Sequence, residues 1–339
     1  MADETASLNA PAPGASPENR PGAPVGRTLR RTQGVKWGDA FFRGLTTSFA
    51  SLALLIIAAI LAVLYSQGHL SISTFGWKFL SGTTWDPVTN EFGALPTIFG
   101  TVVSALLAIL IAAPISIGIA IFLTEMAPPW LKKPVSLGVE MLAAVPSIIY
   151  GMWGLFIFAP MMAKYVQPWI KDHFGFIPLF QGPPMGIGMM TAGIILGIMI
   201  IPFIASVARD VFNLVPAMSK ESAYGLGATT WEVIRSVVIP HTRSGLVGAL
   251  FLGLGRALGE TMAVTFVIGN AHEIKAGLFN AGGTIASTLA NEFTEATTPL
   301  YVSSLIQLGL ILFVITTLIL ALAKLMLWRI EAQVKGAER

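Results

Sequence analysis

Six long apolar runs with few charged residues constrain the fold of this chain more than any other feature. The chain has 339 residues, of which 54% are hydrophobic and 12% charged, whereas soluble domains carry roughly 25% charged residues. About 20 apolar residues suffice to cross a bilayer as an α-helix. The expectation is an all-α, polytopic membrane protein with six transmembrane helices. These are predicted at residues 41–65, 95–123, 135–162, 185–208, 244–270 and 300–323.

The distribution of lysine and arginine predicts how these helices are oriented. If the N-terminus is cytoplasmic, sixteen of the 21 Lys and Arg residues fall on the inner side and four in outer loops, with Arg256 inside a span. Cytoplasmic loops of membrane proteins carry such an excess of positive charge. Both termini are therefore predicted to be cytoplasmic.

The two ends of the chain differ in composition from the region between them. Residues 1–37 are rich in Ala, Pro and Gly and show no apolar periodicity, which predicts a disordered cytoplasmic tail. A cleaved signal peptide is the alternative, but such peptides have an apolar core near their start. Residues 38–330 are predicted to form the six-helix domain, and residues 331–339 a C-terminal cytoplasmic tail.

Several kinds of chemistry are missing from the sequence. There is no cysteine and only four scattered histidines, so neither a thiolate metal site nor a cysteine nucleophile is possible. No Gly-Lys dipeptide occurs, which excludes a phosphate-binding loop of the GxxxxGK[ST] type. HExxH and GxSxG motifs are absent too. We therefore expect no enzyme activity, no cofactor and no nucleic-acid partner, and any ATP hydrolysis must come from another subunit.

The polar segment 216–240 separates the fourth and fifth predicted spans. Its first half predicts a short helix that ends before Gly227, since glycine readily adopts the conformations that break helices. Thr229 and Glu232 have the spacing of a capping box, which predicts a second short helix that Pro240 ends or bends. On these grounds alone the segment could also be an ordinary loop with amphipathic helices.

The spacing within this segment resembles the EAA loop of permease subunits of ATP-binding-cassette (ABC) importers. That pattern is Glu-Ala-Ala, three residues, Gly, nine residues, Ile, one residue and Leu-Pro. Here Glu221-Ser222-Ala223, Gly227 and Val237-Val238-Ile239-Pro240 keep every interval, with mild departures at three positions. The resemblance implies the type I ABC importer permease fold. It also implies that Glu221, Ala223, Gly227 and Pro240 couple the permease to a groove in an ATPase subunit, as a helix laid in a groove does.

Two opposite charges interrupt the fifth predicted span. Arg256 and Glu260 are four residues apart, so a continuous helix would place them on one face, close enough to pair. A charge inside a membrane costs roughly 2.5–3.5 kcal/mol on insertion scales. One interpretation is an ion pair that only helps helices to pack. The other is an arginine on an anion path that Glu260 holds in place, because the guanidinium group can donate two hydrogen bonds to a phosphate.

Three further features are open to interpretation. Gly255 and Gly259 have the GxxxG spacing that lets helices approach closely, although the spacing is common in membrane helices. Ser147 follows a proline and is either a substrate contact or a serine bonded to the backbone at a kink. Glu140 could pair with a cation at the inner membrane edge.

The sequence around Arg256 is also similar to phosphate-specific ABC permeases of the PstC type. The similar stretches are residues 255–263 (GRALGETMA), 144–151 (AVPSIIYG) and 122–128 (FLTEMAP), within a resemblance that covers roughly residues 38–330. It implies a bacterial inner-membrane protein that passes phosphate along a path containing Arg256 and Glu260. The implied partners are a PstA-like permease, an ABC ATPase dimer and an extracytoplasmic phosphate-binding protein.

Three alternatives stay open at this point. The coupling loop fits a permease for another oxyanion, such as sulfate or molybdate, equally well. A proton-driven secondary transporter could use Glu260 as the carrier, although such folds often show internal repeats and none is evident in this sequence. An intramembrane enzyme is disfavoured because the sequence lacks the motifs named above.

Overall fold

The computed structural model describes the backbone of residues 33–337 and the side chains of residues 37–329. Residues 1–32 of the predicted N-terminal tail lie outside the described residues. The first helix begins at Gln33 and the last runs to Ala337. Residues 33–37 and 331–337, which we predicted as parts of the tails, are therefore helical.

Six helices in the described part are long and apolar enough to cross a membrane, as the sequence predicts. We call them the first to sixth spans: Trp37–Phe75, Leu95–Met126, Ser147–Phe174, Met189–Asn213, Thr230–Leu258 and Pro299–Arg329. The fourth span is central, because 67% of its apolar 18-residue stretch is buried. Its side chains share one apolar core with those of the second and fifth spans. Residues 33–58 and residues 59–337 belong to separate units of the chain.

The third span begins later and runs further than the predicted range 135–162. Val145 has an extended backbone (φ −64°, ψ 127°), because the residue before a proline is sterically disfavoured from the α conformation. Pro146 therefore separates the third span from a helix at Pro129–Ala144, which we call the inner helix. Beyond residue 162 the third span continues to Phe174, into the range between the third and fourth predicted spans.

The fifth span also differs from its predicted range of 244–270. It begins at Thr230, directly after Thr229, the first residue of the predicted capping box, and passes Pro240 without a break. The predicted second short helix is thus the start of the fifth span. The span ends at Leu258, and a separate short helix follows at Met262–Val267.

Widened turns explain how the spans tolerate some of their prolines. A proline inside a helix lacks an N–H group, and its ring clashes with the preceding turn. A local π-helical turn is one way in which a helix accommodates the interruption of its backbone hydrogen bonds. The turns Gly154–Phe158, Met162–Val166 and Ile234–Val238 each end two residues before a proline: Pro160, Pro168 and Pro240.

The segment between the first and second predicted spans is ordered structure over much of its length. A short helix at Lys78–Ser81 precedes an antiparallel hairpin in which Trp85–Asp86 pairs with Glu91–Phe92. The hairpin is a small departure from the all-α expectation. Its aromatic side chains pack in a cluster with the start of the sixth span: Phe79, Trp85, Phe92 and Tyr301.

Residues 271–299, between the fifth and sixth predicted spans, are also partly buried and partly helical. Residues 277–279 and 282–288 are buried, and a helix forms at Ile285–Glu292. The carbonyls of Leu278 and Asn280 accept hydrogen bonds from Met190 N (2.8 Å) and Met189 N (3.1 Å). This segment thus satisfies the N–H groups at the start of the fourth span, which have no partner within their own helix.

Candidate functional site

Arg256 lies in the last turn of the fifth span, on a face that this chain leaves exposed. Its guanidinium carbon is 5.8 Å from the centre of the Phe203 ring, and its charge lies within electrostatic range of the Tyr150 hydroxyl. No ion pair among residues 37–329 involves Arg256. No acidic side chain of the described residues therefore forms an ion pair with its positive charge.

The predicted pairing of Arg256 with Glu260 is wrong. The helix ends at Leu258, so the two residues do not share a helical face. The Glu260 carboxylate instead accepts a hydrogen bond from Ala263 N (3.3 Å), at the start of the next short helix. An i,i+4 pair requires an uninterrupted helix, and the break at Gly259 removes it.

The GxxxG interpretation fails for the same reason. A Cβ atom at Gly255 would make an ordinary contact with Leu320 of the sixth span, at 3.4 Å, whereas one at Gly259 would meet only the backbone of its own helix. The closest approach in this region is instead at Gly253. A Cβ there would lie 2.5 Å from the Ile204 side chain, so the small residue serves packing against the fourth span.

Ser147 is the first residue of the third span and is partly exposed. Among the described residues, no hydrogen bond of the Ser147 hydroxyl to the backbone is found, which disfavours the interpretation as a backbone-bonded serine. One turn later, a Cβ at Gly151 would lie 3.0 Å from the Cα of Ala263. The start of the third span therefore packs against the short helix that Glu260 caps.

These positions combine an uncompensated positive charge with polar groups at two helix ends. Such a surface can hold an anion through guanidinium hydrogen bonds. In the part of the chain that the structure describes, no group of three or more His, Asp or Glu side chains is arranged to bind a metal ion.

The segment between the fourth and fifth spans has the local structure that the sequence predicts. A helix at Ala217–Gly225, which we call the loop helix, is followed by Gly227 with φ +88°. That value lies in the left-handed region, which favours glycine. Thr229 and Glu232 form the predicted capping box, with the Thr229 N–H donating to the Glu232 carboxylate at 2.8 Å.

The loop helix and its flanks have two different faces. Ala223 and Ala228 pack against a cluster that includes Ala120 and Phe212 at the ends of the second and fourth spans. Glu221 is exposed, so Glu221 and Ala223 point to opposite sides. The opposite side also exposes large apolar residues, which sequence reasoning missed: Leu214 (75%), Met218 (78%), Leu226 (91%) and Trp231 (63%). The sequence did contain a signal for this surface, namely large apolar residues inside an otherwise polar segment.

Charged contacts tie the elements around the loop helix together. Lys220 Nζ lies 2.6 Å from Glu125 Oε1 at the end of the second span. Arg209 Nη1, near the end of the fourth span, lies 2.9 Å from Glu140 Oε1 of the inner helix. The predicted pairing of Glu140 with a cation is thus confirmed.

At the opposite end of the bundle, Glu292 is the centre of a polar network. Its carboxylate accepts hydrogen bonds from Trp85 Nε1 (2.7 Å) and Tyr301 OH (2.6 Å) and pairs with His272 Nε2 (2.7 Å). Burial alone would raise the pKa of Glu292, but the contacts with His272, Tyr301 and Trp85 outweigh it and lower that pKa. The network joins the hairpin, the segment after the fifth span and the sixth span.

Comparison with known proteins gives similarity over most of the chain. Residues 115–331 match the family described as "Binding-protein-dependent transport system inner membrane component". The chain is 55% identical to the phosphate transport system permease protein PstC of Haemophilus influenzae, over 88% of this chain and 96% of that protein. It is 56% identical to the protein of the same name from Mesorhizobium japonicum, over 87% of this chain and 91% of that protein.

A solved structure supports the same fold at low sequence identity. A bacterial ABC transporter involved in the import of the acidic polysaccharide alginate gives a TM-score of 0.54 at 15% identity, covering 86% of this chain and 99% of that chain. The predicted ABC importer permease fold is therefore confirmed.

Proposed function

Because this chain belongs to the binding-protein-dependent transport system inner membrane components, and among them to the phosphate transport permeases of the PstC type, we propose that it forms part of the path by which inorganic phosphate enters the cell. It is a multi-pass membrane protein and a permease. In this family ATP is hydrolysed by separate subunits, and a binding protein takes part in transport.

The observation that carries the proposal is the exposed Arg256. An arginine on a spanning helix is costly to leave facing lipid. Without an ion-pair partner among residues 37–329, it is best accommodated facing a polar path or another subunit. A planar guanidinium group there suits a tetrahedral oxyanion, because it can donate two hydrogen bonds at once. Ser147 and Glu260 lie at the neighbouring helix ends.

Each proposed partner would take a different face of the chain. A PstA-like permease would cover the face that carries Arg256 and complete the path. A dimer of ABC ATPase subunits would take up the loop helix, with contacts from Leu214, Met218 and Leu226. The other side of the bundle would receive an extracytoplasmic phosphate-binding protein. In this arrangement both termini are cytoplasmic, the membrane is the bacterial inner membrane, and residues 38–330 are the permease domain with its coupling loop at 216–240.

The roles of the coupling residues differ in detail. The side chain of Glu221 is exposed and can contact the ATPase directly. Ala223 packs toward the spans, so it would act by seating the loop helix. Gly227 and Pro240 shape the backbone, the first through its positive φ and the second through the π-helical turn before it.

The proton-driven alternative, with Glu260 as its carrier, loses support from the family match, because that family is described as binding-protein-dependent transport components. The Glu260 carboxylate itself accepts a hydrogen bond from Ala263 N at the start of the short helix Met262–Val267. Sulfate and molybdate have the same tetrahedral shape as phosphate, so they are competitors that the experiment must include.

The test is ATP-dependent uptake of labelled phosphate by the complete importer in vesicles. Arg256→Gln should assemble with its partners, as judged by co-purification, and lose at least about tenfold in uptake, since a hydrogen bond to a charged group contributes roughly 1.5–3 kcal/mol. The control is Arg243→Gln, an exposed arginine of the same helix, which should transport normally. Normal uptake by Arg256→Gln would make the residue structural. Stronger competition by sulfate or molybdate than by unlabelled phosphate would reassign the substrate.

A further inference from the structure

Two lysines from different helices converge on the π-helical turn Phe122–Met126, which ends the second span. Lys220 of the loop helix places Nζ 2.6 Å from Glu125 Oε1. Lys132 of the inner helix donates to the carbonyl of Thr124 at 3.0 Å. The end of the second span is therefore held by both of the helices that lie beside it.

The contact between Lys220 and Glu125 is a buried one. The side chain of Glu125 is 6% exposed and that of Lys220 is 19% exposed. Removing one partner of such a pair leaves a buried charge without compensation, which is strongly unfavourable. The contact will therefore persist when the loop helix is displaced, whereas an exposed ion pair could open at little cost.

The other contacts of the loop helix with the spans are of a different kind. Ala223 and Ala228 touch the spans through small apolar groups, whose attraction has no preferred direction. Among the ion pairs of residues 37–329, the Lys220–Glu125 pair is the one that joins the loop helix to a span. It fixes both the position and the direction of the contact.

The second span extends the connection to the other end of the bundle. Near its start, a Cβ atom at Gly100 would lie 2.1 Å from the carbonyl oxygen of Gly283. A little further along, the Thr101 hydroxyl accepts a hydrogen bond from Ile285 N at 2.9 Å. One continuous helix thus contacts the loop helix at one end and the buried segment 282–288 at the other.

We propose that the Lys220–Glu125 ion pair transmits displacement of the loop helix to the second span, and through it to the segment 282–288. Both residues act by positioning, since neither faces the proposed substrate path. This inference rests on the proposed function, because the loop helix is displaced only if a motor subunit binds it.

The first test uses the complete importer in proteoliposomes and measures phosphate imported per ATP hydrolysed. Glu125→Gln and Lys220→Met should each lower this ratio roughly tenfold, within the range by which residues along a coupling network modulate coupling, while ATP hydrolysis continues. The reversed pair, Glu125→Lys with Lys220→Glu, should recover most of the ratio. The matched control is Glu140→Gln, which breaks the pair with Arg209 and leaves the loop helix untouched. An unchanged ratio in both single variants overturns the proposal.

A second test does not depend on the stability of a buried charge. The chain contains no cysteine, so Lys220→Cys with Glu125→Cys introduces two thiols at known places, which a short bifunctional thiol reagent can bridge. The double variant should be uncoupled before bridging and regain coupled transport afterwards. The wild-type importer treated with the same reagent is the control. Transport that is lost on bridging would show that the contact must open during the cycle and would overturn the proposal.

Gly227→Asp separates failure of this inference from failure of the proposed function. If Gly227→Asp leaves the complex coupled, the loop helix does not engage the motor and the proposed coupling role fails. If Gly227→Asp uncouples transport while the Lys220 and Glu125 variants stay coupled, only the transmission through this ion pair fails.

Discussion

Gly100 permits the closest backbone approach between the second span and the segment that precedes the sixth. A Cβ atom there would lie 2.1 Å from the Gly283 carbonyl oxygen, and a backbone atom cannot move aside as a flexible side chain can. Gly100→Ala should therefore lower the free energy of unfolding by roughly 1–3 kcal/mol, the usual cost of overpacking. Thermal unfolding of the purified chain in detergent measures the effect.

Gly118→Ala is the matched control for this prediction. Gly118 belongs to the same helix, but nothing lies within 4 Å of a Cβ built on it. Its replacement should be neutral or slightly stabilising, because glycine is unfavourable inside helices. Equal melting temperatures for the two variants would contradict the steric argument.

Glu292 illustrates how a buried carboxylate makes stability depend on pH. Its pKa is lowered in the folded chain, against the effect of burial, by the contacts with His272, Tyr301 and Trp85. A lowered folded-state pKa gives stability that is present above the unfolded value, about 4.3, and lost as the pH falls through the folded value. Glu292→Gln should therefore destabilise the chain at neutral pH by roughly 1–3 kcal/mol, and this difference from wild type should shrink below about pH 4.

Unfolding measured across pH 3–8 for both proteins tests this prediction. Glu295→Gln removes the same charge from an exposed position nearby and should change stability little at any pH. A difference between Glu292→Gln and wild type that stays constant down to the lowest pH would contradict the role of the ionised carboxylate.

At the scale of the elements, the first and sixth spans are joined by a serine hydroxyl that bonds to two backbone groups of the first span. The Ser303 hydroxyl accepts from Ser71 N at 3.0 Å and donates to the carbonyl of Gln67 at 2.9 Å. A continuous α-helix would join these two backbone groups directly, and insertion of a side chain between them is a known cause of helix bending. The Ser303 hydroxyl thus links the two helices, beside the contacts that Ser71 makes with Gln307 and Ser304.

Ser303→Ala should lower the free energy of unfolding by roughly 1–3 kcal/mol, because it leaves buried polar groups with poorer partners. The control is Ser73→Ala, whose hydroxyl bonds only to Leu70 in its own helix. Thermal unfolding of both variants in detergent makes the comparison. A loss of similar size in Ser73→Ala would show that the bridge between the helices contributes nothing particular.

At the scale of the whole molecule, the direction in which the chain crosses the membrane can be tested by labelling. Val88 lies between the first and second spans and Ser219 between the fourth and fifth, so three spans separate them and they face opposite sides. The lysine and arginine asymmetry predicts that Ser219 lies in the cytoplasm. Val88→Cys should react with an impermeant maleimide in intact cells, whereas Ser219→Cys should react only after permeabilisation. The reverse pattern would overturn the predicted orientation.

The sequence by itself determined the features that depend on composition and local spacing. Six apolar stretches predicted six spans because a membrane-crossing helix satisfies its own backbone hydrogen bonds. The capping box of Thr229 and the turn at Gly227 were predictable because their partners lie within a few residues. The family could be identified for a related reason, since the spacing from Glu221 to Pro240 is a local pattern.

Only the tertiary structure decided which groups meet across long sequence distances. Arg256 and Glu260 were expected to pair, but the helix ends at Leu258 between them, and the Glu260 carboxylate accepts a hydrogen bond from Ala263 N instead. The ion pair of Lys220 with Glu125 and the network around Glu292 join residues that are far apart in sequence, and no local spacing predicts such contacts. The segment before the sixth span looks like a polar loop in the sequence. It is buried because its carbonyls complete the hydrogen bonds at the start of the fourth span, which only the assembled bundle brings within reach.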